Sequence, residues 1–435
     1  MRSFLLVSFL VLACVPVQAQ ETEIARTREA TTRQPTSSAA FLAYGQALIR
    51  AGRFDEAQRA YHKAVTLERG SLRALYLEAS VSFARLDYRG ARNACRTLER
   101  LDAHSVWTLV CRARALLVLN RSAPAFEALA EAERVDPNNY EMLMAHGDAH
   151  RLRMDSDAAE QSYRRAATVA PSEAGPHLGL GRLYAAAGST EPALTELRRA
   201  YELDPTWPEV QYELGRLVGG AEGRDLLARA VAGRPSWALA QAALGDAEFG
   251  LGHLDAAKAS YENAIRLDAQ LPQAHVGLGR TLAAMPGHDE EAKRELVRAL
   301  ELVPNSEIAC ITLATIEERN EHFEEAFDYY RRAADASPSD PTPLLAAARL
   351  ALRQGRDTYA AAFLDRVLDQ HGNDSQALML YGDIMKARGD RASARTYYEN
   401  ARRGSGTVDT ARIDAALREL DATPDPRSTR WPSAR

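Results

Sequence analysis

The chain has 435 residues, a formal net charge of -5, 46% hydrophobic residues and 26% charged residues. Such a small net charge supplies no basic field for neutralising a phosphate backbone, which argues against nucleic acid as a partner. Few aromatic residues beside many Ala, Leu, Arg and Glu residues are typical of long amphipathic helices in a soluble protein.

The first nineteen residues have the pattern of a secretory leader. A positive charge at Arg2 precedes an uncharged run over residues 4–13, which is too short to span a bilayer. Small residues favour a signal-peptidase cleavage after Ala19, whereas the residues ending at Cys14 resemble a lipoprotein box that would carry a lipid anchor. We favour cleavage after Ala19 and therefore an exported, periplasmic protein over an outer-membrane lipoprotein. No later segment is apolar enough for a transmembrane span.

Residues 20–37 are predicted to be a flexible segment, with a helix over residues 23–30 as the alternative, and a repeated pattern occupies residues 38–408. In this pattern a large residue, a Leu-Gly pair and a Tyr precede Ala, an aromatic residue or Leu, and Pro, over 34 residues. One of the clearest copies begins at Ala174 and includes Leu180, Gly181 and Pro205. The predicted repeats begin at residues 38, 72, 106, 140, 174, 208, 238, 272, 307, 341 and 375.

This pattern resembles the tetratricopeptide repeat (TPR) family, in which each repeat is a pair of antiparallel helices. The resemblance implies an all-α fold, a right-handed superhelical α-solenoid of about eleven helix-turn-helix repeats. A small residue such as Gly181 lets the two helices approach closely. Glycines such as Gly252 end the first helix, and prolines such as Pro205 stop the second. Neighbouring repeats must stack, because no single repeat buries its apolar face.

Two repeats depart from this spacing. The sixth is four residues short around Gly219 and Gly220, where we expect a local irregularity, and the eighth has one extra residue near Gly287. After the last repeat, residues 409–421 are predicted to form a polar C-terminal capping helix. The final residues, 422–435, contain three prolines without periodicity and are predicted to be disordered.

No catalytic activity, cofactor or metal site is predicted. The repeats and the cap leave no room for a separate catalytic domain, and phosphate loops, serine elbows and paired Cys motifs are missing from the sequence. His146 and His150 lie one helical turn apart, but they offer only two ligands. We therefore interpret them as packing residues.

Three cysteines follow the leader. Cys95 and Cys111 lie at the same height on two neighbouring antiparallel helices, so they form either a disulfide or two small core residues. An oxidising compartment would favour the disulfide. Cys310 replaces a large core residue and is expected to be buried and free.

The resemblance also implies a function. Members of this family bind partners in a concave groove lined by the first helix of each repeat, so we expect a scaffold or adaptor for partner proteins or peptides outside the cytoplasm. The alternative is a non-catalytic subunit of a bacterial secretion, envelope-assembly or polysaccharide-export complex. The candidate partner-binding residues combine an apolar column with a column of arginines: Tyr76, Phe83, Trp107, Val110, Arg114, Leu117, Met144, Arg182, Tyr212, Arg216, Arg280 and Arg349.

Two interpretations of the arginine column remain open at this point. The guanidinium groups either clamp acidic groups of a ligand or pair across repeats with Asp148 and Asp246, which lie in the same column. In the first case, we expect the acidic groups of a bound segment to lie near Arg182 and Arg216.

Overall fold

The computed structural model describes residues 21–85, 87–406 and 409–422. Within these ranges the structure consists of helices joined by turns, and no strand is formed. One isolated β-bridge joins Asp374 and Ser405. The predicted leader, both of its processing alternatives, the anchor at Cys14 and the tail beyond Ala422 lie outside the described residues.

A first helix, α1, covers residues 21–33 and is followed by eleven antiparallel helix pairs and a final helix, α24 (Thr410–Ala422). The first helices of the pairs, called helices A, are α2 (Ser38–Arg50), α4 (Leu72–Ala84), α6 (Val106–Val118), α8 (Tyr140–Leu152), α10 (Gly175–Ala186), α12 (Pro208–Val218), α14 (Ala238–Gly250), α16 (Pro272–Ala284), α18 (Glu307–Arg319), α20 (Thr342–Arg353) and α22 (Ser375–Ala387). The second helices, called helices B, are α3 (Phe54–Leu67), α5 (Tyr88–Leu101), α7 (Ser122–Val135), α9 (Ser156–Val169), α11 (Thr190–Leu203), α13 (Gly220–Gly233), α15 (Leu254–Leu267), α17 (Asp289–Leu302), α19 (Phe323–Ala336), α21 (Asp357–Gln370) and α23 (Arg391–Arg403).

The helix pairs pack through a recurrent contact between glycine and tyrosine. A Cβ atom on Gly245 of α14 would lie 2.8 Å from the Tyr261 ring of α15, so the close approach of the two helices requires glycine there. The same tyrosine donates its hydroxyl to Asp246 at 2.6 Å. The fourth repeat has an equivalent bond of 2.8 Å from Tyr163 to Asp148. Each such pair joins helix A to helix B twice, once by packing and once by a hydrogen bond.

The short sixth repeat replaces this contact with two glycines. Only Gly219, at a φ of 66°, separates α12 from α13. A Cβ atom on Gly215 would lie 2.9 Å from the carbonyl oxygen of Gly223, so the backbones of the two helices nearly touch. The predicted irregularity is therefore a tighter turn with a closer helix crossing.

Helices also cover both ends of the described array. At the N-terminal end, Ile24 of α1 is buried in the core cluster of the first repeats, and Thr27 and Thr31 are buried beside it. Of the two alternatives for residues 20–37, the structure has the helix, which covers residues 21–33, because these side chains lie on one face and pack inward. At the C-terminal end, Ile413 and Leu420 of α24 pack against α23.

The chain divides after Ala269 into two compact units, which we call the first and second unit. The first contains α1 to α15 and the second contains α16 to α24. The predicted fold class, an all-α solenoid of helix pairs with a C-terminal capping helix, is confirmed. No helix of the described residues has the length and apolar character needed to cross a bilayer.

Candidate functional site

Three of the candidate apolar residues are not accessible to a partner. Tyr76, Val110 and Tyr212 are all buried. The Tyr76 ring lies 5.4 Å from the Trp107 ring, and its hydroxyl donates to Glu141 of α8 at 3.2 Å. Burial also raises the pKa of Tyr76 well above its usual value. The assignment of these three residues as partner-binding is corrected: successive helices A pack against one another here, so the column forms part of the core.

The arginines of the column mostly contact neighbouring repeats. Arg114 donates to Glu141 at 3.4 Å and lies over the Tyr76 ring, and Arg182 donates to Glu213 at 2.8 Å. In the second unit, Arg349 donates to Gln376, and Arg280 is half-buried. Of the two aspartates of this column, Asp148 accepts from Tyr163 and also acts electrostatically on Arg114. Pairing across repeats occurs at Arg114 and Arg182, where it uses glutamates on the following helix A.

Arg182 and Arg216 together carry one more positive charge than the single carboxylate that they contact can neutralise. Arg216 lies 3.8 Å from the same Glu213 carboxylate that pairs with Arg182, and its guanidinium lies 5.3 Å from the centre of the Tyr212 ring. Its side chain is 55% exposed. Two guanidinium groups therefore share one carboxylate at an accessible position on helices A.

The remaining apolar candidates, Phe83, Trp107, Leu117 and Met144, are half-buried and pack against the core of the first repeats. Phe83 has a second role, because it lines a groove of about 370 Å³ at the end of the helix pairs. The other lining residues come from the start of α5 and the end of α6: Tyr88, Arg89, Arg92, Asn93, Ala115, Val118 and Leu119. We call this the turn-edge groove; the sequence did not predict it.

A disulfide joins the two helices that form this groove. Cys95 of α5 and Cys111 of α6 are bonded, with their Cα atoms 5.5 Å apart, and both residues are buried. Of the two interpretations left open by the sequence, the structure therefore has the disulfide. Cys310 is buried with a free thiol, and burial raises its pKa.

The first repeat also contacts later repeats of the first unit. Arg50, at the end of α2, lies 3.0 Å from Asp204 and 5.9 Å from the centre of the Trp207 ring. Phe54, at the start of α3, lies under the guanidinium of Arg234 at 5.2 Å. We call these five residues the clasp. They bring the turn of the first repeat against the residues that follow α11 and α13, contacts that no periodic pattern predicts.

The two adjacent histidines pack together. The His146 and His150 rings stack with centroids 5.7 Å apart, and His150 lies 4.8 Å from the Phe126 ring and 3.1 Å from Asp155. Burial lowers the pKa of His146, which favours its neutral form. Among the described residues no group of three or more His, Cys, Asp or Glu side chains is placed to hold a metal ion.

Known proteins resemble this chain in both sequence and fold. One tetratricopeptide repeat model matches residues 42–106, 112–176, 242–307 and 287–341, and two others match residues 174–217 and 319–384. No curated protein matches the sequence. The crystal structure of the APC/C hetero-tetramer Cut9–Hcn1 has a chain that is 16% identical, with a TM-score of 0.53 over 86% of this chain and 83% of that chain. Yeast Tom70 is 15% identical, with a TM-score of 0.42 over 88% of this chain and 95% of that chain.

The repeat models together cover more than half of the sequence, and their matches lie within the helical arrays of both units. The likeness to the Cut9–Hcn1 chain, at a low identity, concerns the fold alone. Repeat arrays of this kind present extended surfaces to other proteins. The chain belongs to the tetratricopeptide repeat family and is a protein-interaction scaffold.

Proposed function

We propose that this protein is an exported, non-catalytic scaffold that binds acidic segments of partner proteins on the helices A of its first unit. The observation that carries the proposal is the shared carboxylate of Glu213. Because Arg182 and Arg216 both pair with it, one positive charge remains uncompensated beside the Tyr212 ring. An accessible guanidinium next to an aromatic ring is a favourable place for a carboxylate of a bound segment.

The location outside the cytoplasm is supported by two features. Residues 4–13 have the composition of a secretory leader, and Cys95 and Cys111 form a buried disulfide. Structural disulfides persist in oxidising compartments and are rare in the cytosol. A membrane anchor at Cys14 is not needed for this proposal.

Partner capture tests the binding surface. Tagged wild-type protein and an Arg182→Glu/Arg216→Glu variant are compared by quantitative mass spectrometry of the proteins that each retains from an envelope fraction. The variant is expected to lose the salt-sensitive partners, because reversed charges repel an acidic segment. An Arg69→Glu/Arg73→Glu variant, with the same change in net charge at two exposed residues, is the control. Equal retention by all three proteins would refute the proposed surface.

Mass analysis of the mature protein tests the location. An N-terminus at Gln20 in a periplasmic extract is the expected result, and Cys14→Ala should leave both the N-terminus and the location unchanged. Lipid on Cys14 would replace this proposal by the lipoprotein alternative, and retention of the leader in the cytoplasm would contradict export.

A further inference from the structure

The turn between helix A and helix B has an unusual surface in the third and fourth repeats. In most repeats this turn contains a glycine at positive φ, such as Gly188 or Gly252. The third repeat instead exposes Val118 and Leu119 at this turn, and Leu119 is 53% exposed. In the fourth repeat, the glycine position is taken by Met154, which adopts a φ of 59° and is 91% exposed.

A methionine in this conformation is unfavourable, since only glycine adopts it without a steric cost. Nothing in the described structure compensates for Met154, whose side chain reaches into solvent. Strained residues that expose an apolar side chain are candidates for contact with another molecule. The turns of two consecutive repeats therefore expose apolar side chains.

The charged side chains of the turn-edge groove indicate the chemistry of its partner. Arg89 and Arg92 line the groove beside Tyr88, and both are exposed. Neither arginine has an ion-pair partner among the residues that the structure describes. Asp87 is adjacent, but it caps α5 by accepting from the backbone of Gly90. An apolar groove with two uncompensated guanidinium groups is complementary to a segment that carries both carboxylates and a large apolar side chain.

The clasp covers the corresponding turn of the first repeat. Tyr88 occupies the position in the second repeat that Phe54 occupies in the first. In the first repeat this edge is covered, because Arg50 pairs with Asp204 and lies near the Trp207 ring. Residues 204–207 have the sequence Asp-Pro-Thr-Trp. In the second and third repeats the edge continues with exposed residues.

From this continuity we infer that the turn-edge groove is a docking site for an acidic segment with an aromatic residue, supplied by a partner protein. The carboxylates of the segment pair with Arg89 and Arg92, and its aromatic ring packs between Phe83, Tyr88 and Leu119. The disulfide between Cys95 and Cys111 holds the two helices that form the groove at a fixed separation, so the site is formed before the segment binds. This inference rests on the proposed scaffold function and assigns it a second surface.

The test uses two labelled synthetic peptides and the full mature protein. One peptide has the Asp-x-x-Trp spacing of residues 204–207 flanked by glutamates, and the other has every acidic residue replaced by lysine. Binding is measured by fluorescence anisotropy at two salt concentrations. We expect the wild type to prefer the acidic peptide, and Arg89→Glu/Arg92→Glu to bind it at least about tenfold more weakly. The same variant should gain affinity for the lysine peptide, an outcome that misfolding cannot produce.

Leu119→Asp should also weaken binding of the acidic peptide, whereas Val135→Asp, at a similarly exposed valine on α7, should not. The matched charge control is Arg69→Glu/Arg73→Glu, which should leave the affinity unchanged. Equal affinities of the wild type and Arg89→Glu/Arg92→Glu for both peptides would overturn the inference. Sedimentation in the absence of peptide tests for self-association. If the wild type self-associates and Arg89→Glu/Arg92→Glu does not, the inference is overturned, and a second copy of this chain is the occupant of the groove.

The two surfaces are distinguished by the same measurement. Loss of peptide binding in Arg182→Glu/Arg216→Glu, with Arg89→Glu/Arg92→Glu unaffected, would overturn the turn-edge inference and leave the proposed function intact. If neither Arg182→Glu/Arg216→Glu nor Arg89→Glu/Arg92→Glu lost partner capture, the proposed function and the turn-edge inference would both be contradicted.

Discussion

The Arg50 guanidinium lies 3.0 Å from the Asp204 carboxylate, although nine helices, α3 to α11, separate them along the chain. In a simple repeat array each repeat contacts only its neighbours. This ion pair, together with the contact of Phe54 with Arg234, gives the first repeat a second set of neighbours within the first unit. The first unit therefore folds back on itself.

Reversal of the charge at Arg50 should open the clasp. A partly exposed ion pair contributes about 1 kcal/mol at most, so the global stability should hardly change. Local opening, however, should become about fivefold more frequent, because Arg50→Glu places a negative charge beside Asp204. Hydrogen exchange at residues 50–54 and 204–207 measures this effect.

The compensating variant Arg50→Glu/Asp204→Arg should restore slow exchange in both segments. Arg85→Glu removes a different surface pair, with Asp55, and serves as the control. Unchanged exchange in Arg50→Glu would mean that the clasp does not hold the first repeat in place.

Loss of the disulfide should destabilise the first unit. The bond closes a loop with a sequence separation of 16 residues, for which the chain-entropy model gives about 3 kcal/mol. Cys95→Ala/Cys111→Ala should accordingly shift the urea unfolding of this unit to lower concentration. A reductant should reproduce the shift in the wild type and have no effect on the double variant. Cys310→Ala keeps the bond, so we expect a reductant to shift its unfolding by the same amount as that of the wild type. If neither the double substitution nor the reductant shifted the urea unfolding, the structural role of the bond would be contradicted.

The glycines that contact tyrosine rings should not tolerate a methyl group. A Cβ atom on Gly147 would overlap the Tyr163 ring, so Gly147→Ala should destabilise the protein by about 1–3 kcal/mol through overpacking. Gly250→Ala provides a matched control: this residue also lies in a helix A, but a Cβ atom there would meet nothing within 4 Å. Thermal unfolding should therefore show a lower Tm for Gly147→Ala and an equal or higher Tm for Gly250→Ala. The reverse order would contradict the packing argument.

The buried His146 should make stability depend on pH. Burial lowers its pKa in the folded protein, with a smaller lowering by His150 and an opposing effect of Glu133. As the pH falls below about 6.5, the usual histidine pKa, the unfolded chain therefore takes up a proton that the folded chain does not. The unfolding free energy should decrease over this range, and His146→Gln should show a smaller decrease.

The control for this prediction is the same substitution at an exposed histidine, His62→Gln. His146→Gln should show a smaller decrease than this control. Urea titrations at a series of pH values measure all three proteins. If the wild type and His146→Gln had the same pH dependence, His146 would not be the group responsible.

Local periodicity was sufficient to predict the helix pairs. Nine of the eleven helices A begin at the predicted repeat starts, and α10 and α20 begin one residue later. The repeat spacing encodes these boundaries because the turn glycines, caps and prolines act within a few residues. For the N-terminal helix α1 the sequence left a flexible segment and a helix over residues 23–30 open, since residues 21–33 lack the repeat pattern, although Ile24, Thr27 and Thr31 have helical spacing.

The accessible surface was much harder to predict from the sequence. Tyr76 is buried because Glu141, two repeats later, and Trp107 both contact it. Such contacts depend on how strongly successive repeats curve, which a pattern of 34 residues does not specify. The clasp and the turn-edge groove depend on the same curvature. Arg114 and Arg182 of the arginine column pair with Glu141 and Glu213, which lie at positions outside that column.

The burial of both bonded cysteines has a consequence for the order of events during biosynthesis. Cys95 and Cys111 are almost inaccessible once α6 has docked on α5, so an oxidant has access to them only before this docking or during a local opening. Thiol exchange requires direct access of the attacking thiolate to the sulfur atoms. The bond therefore closes most readily while the second and third repeats are still assembling. Once these repeats have docked, reduction has to wait for a local opening, and its rate reports how often α5 and α6 separate.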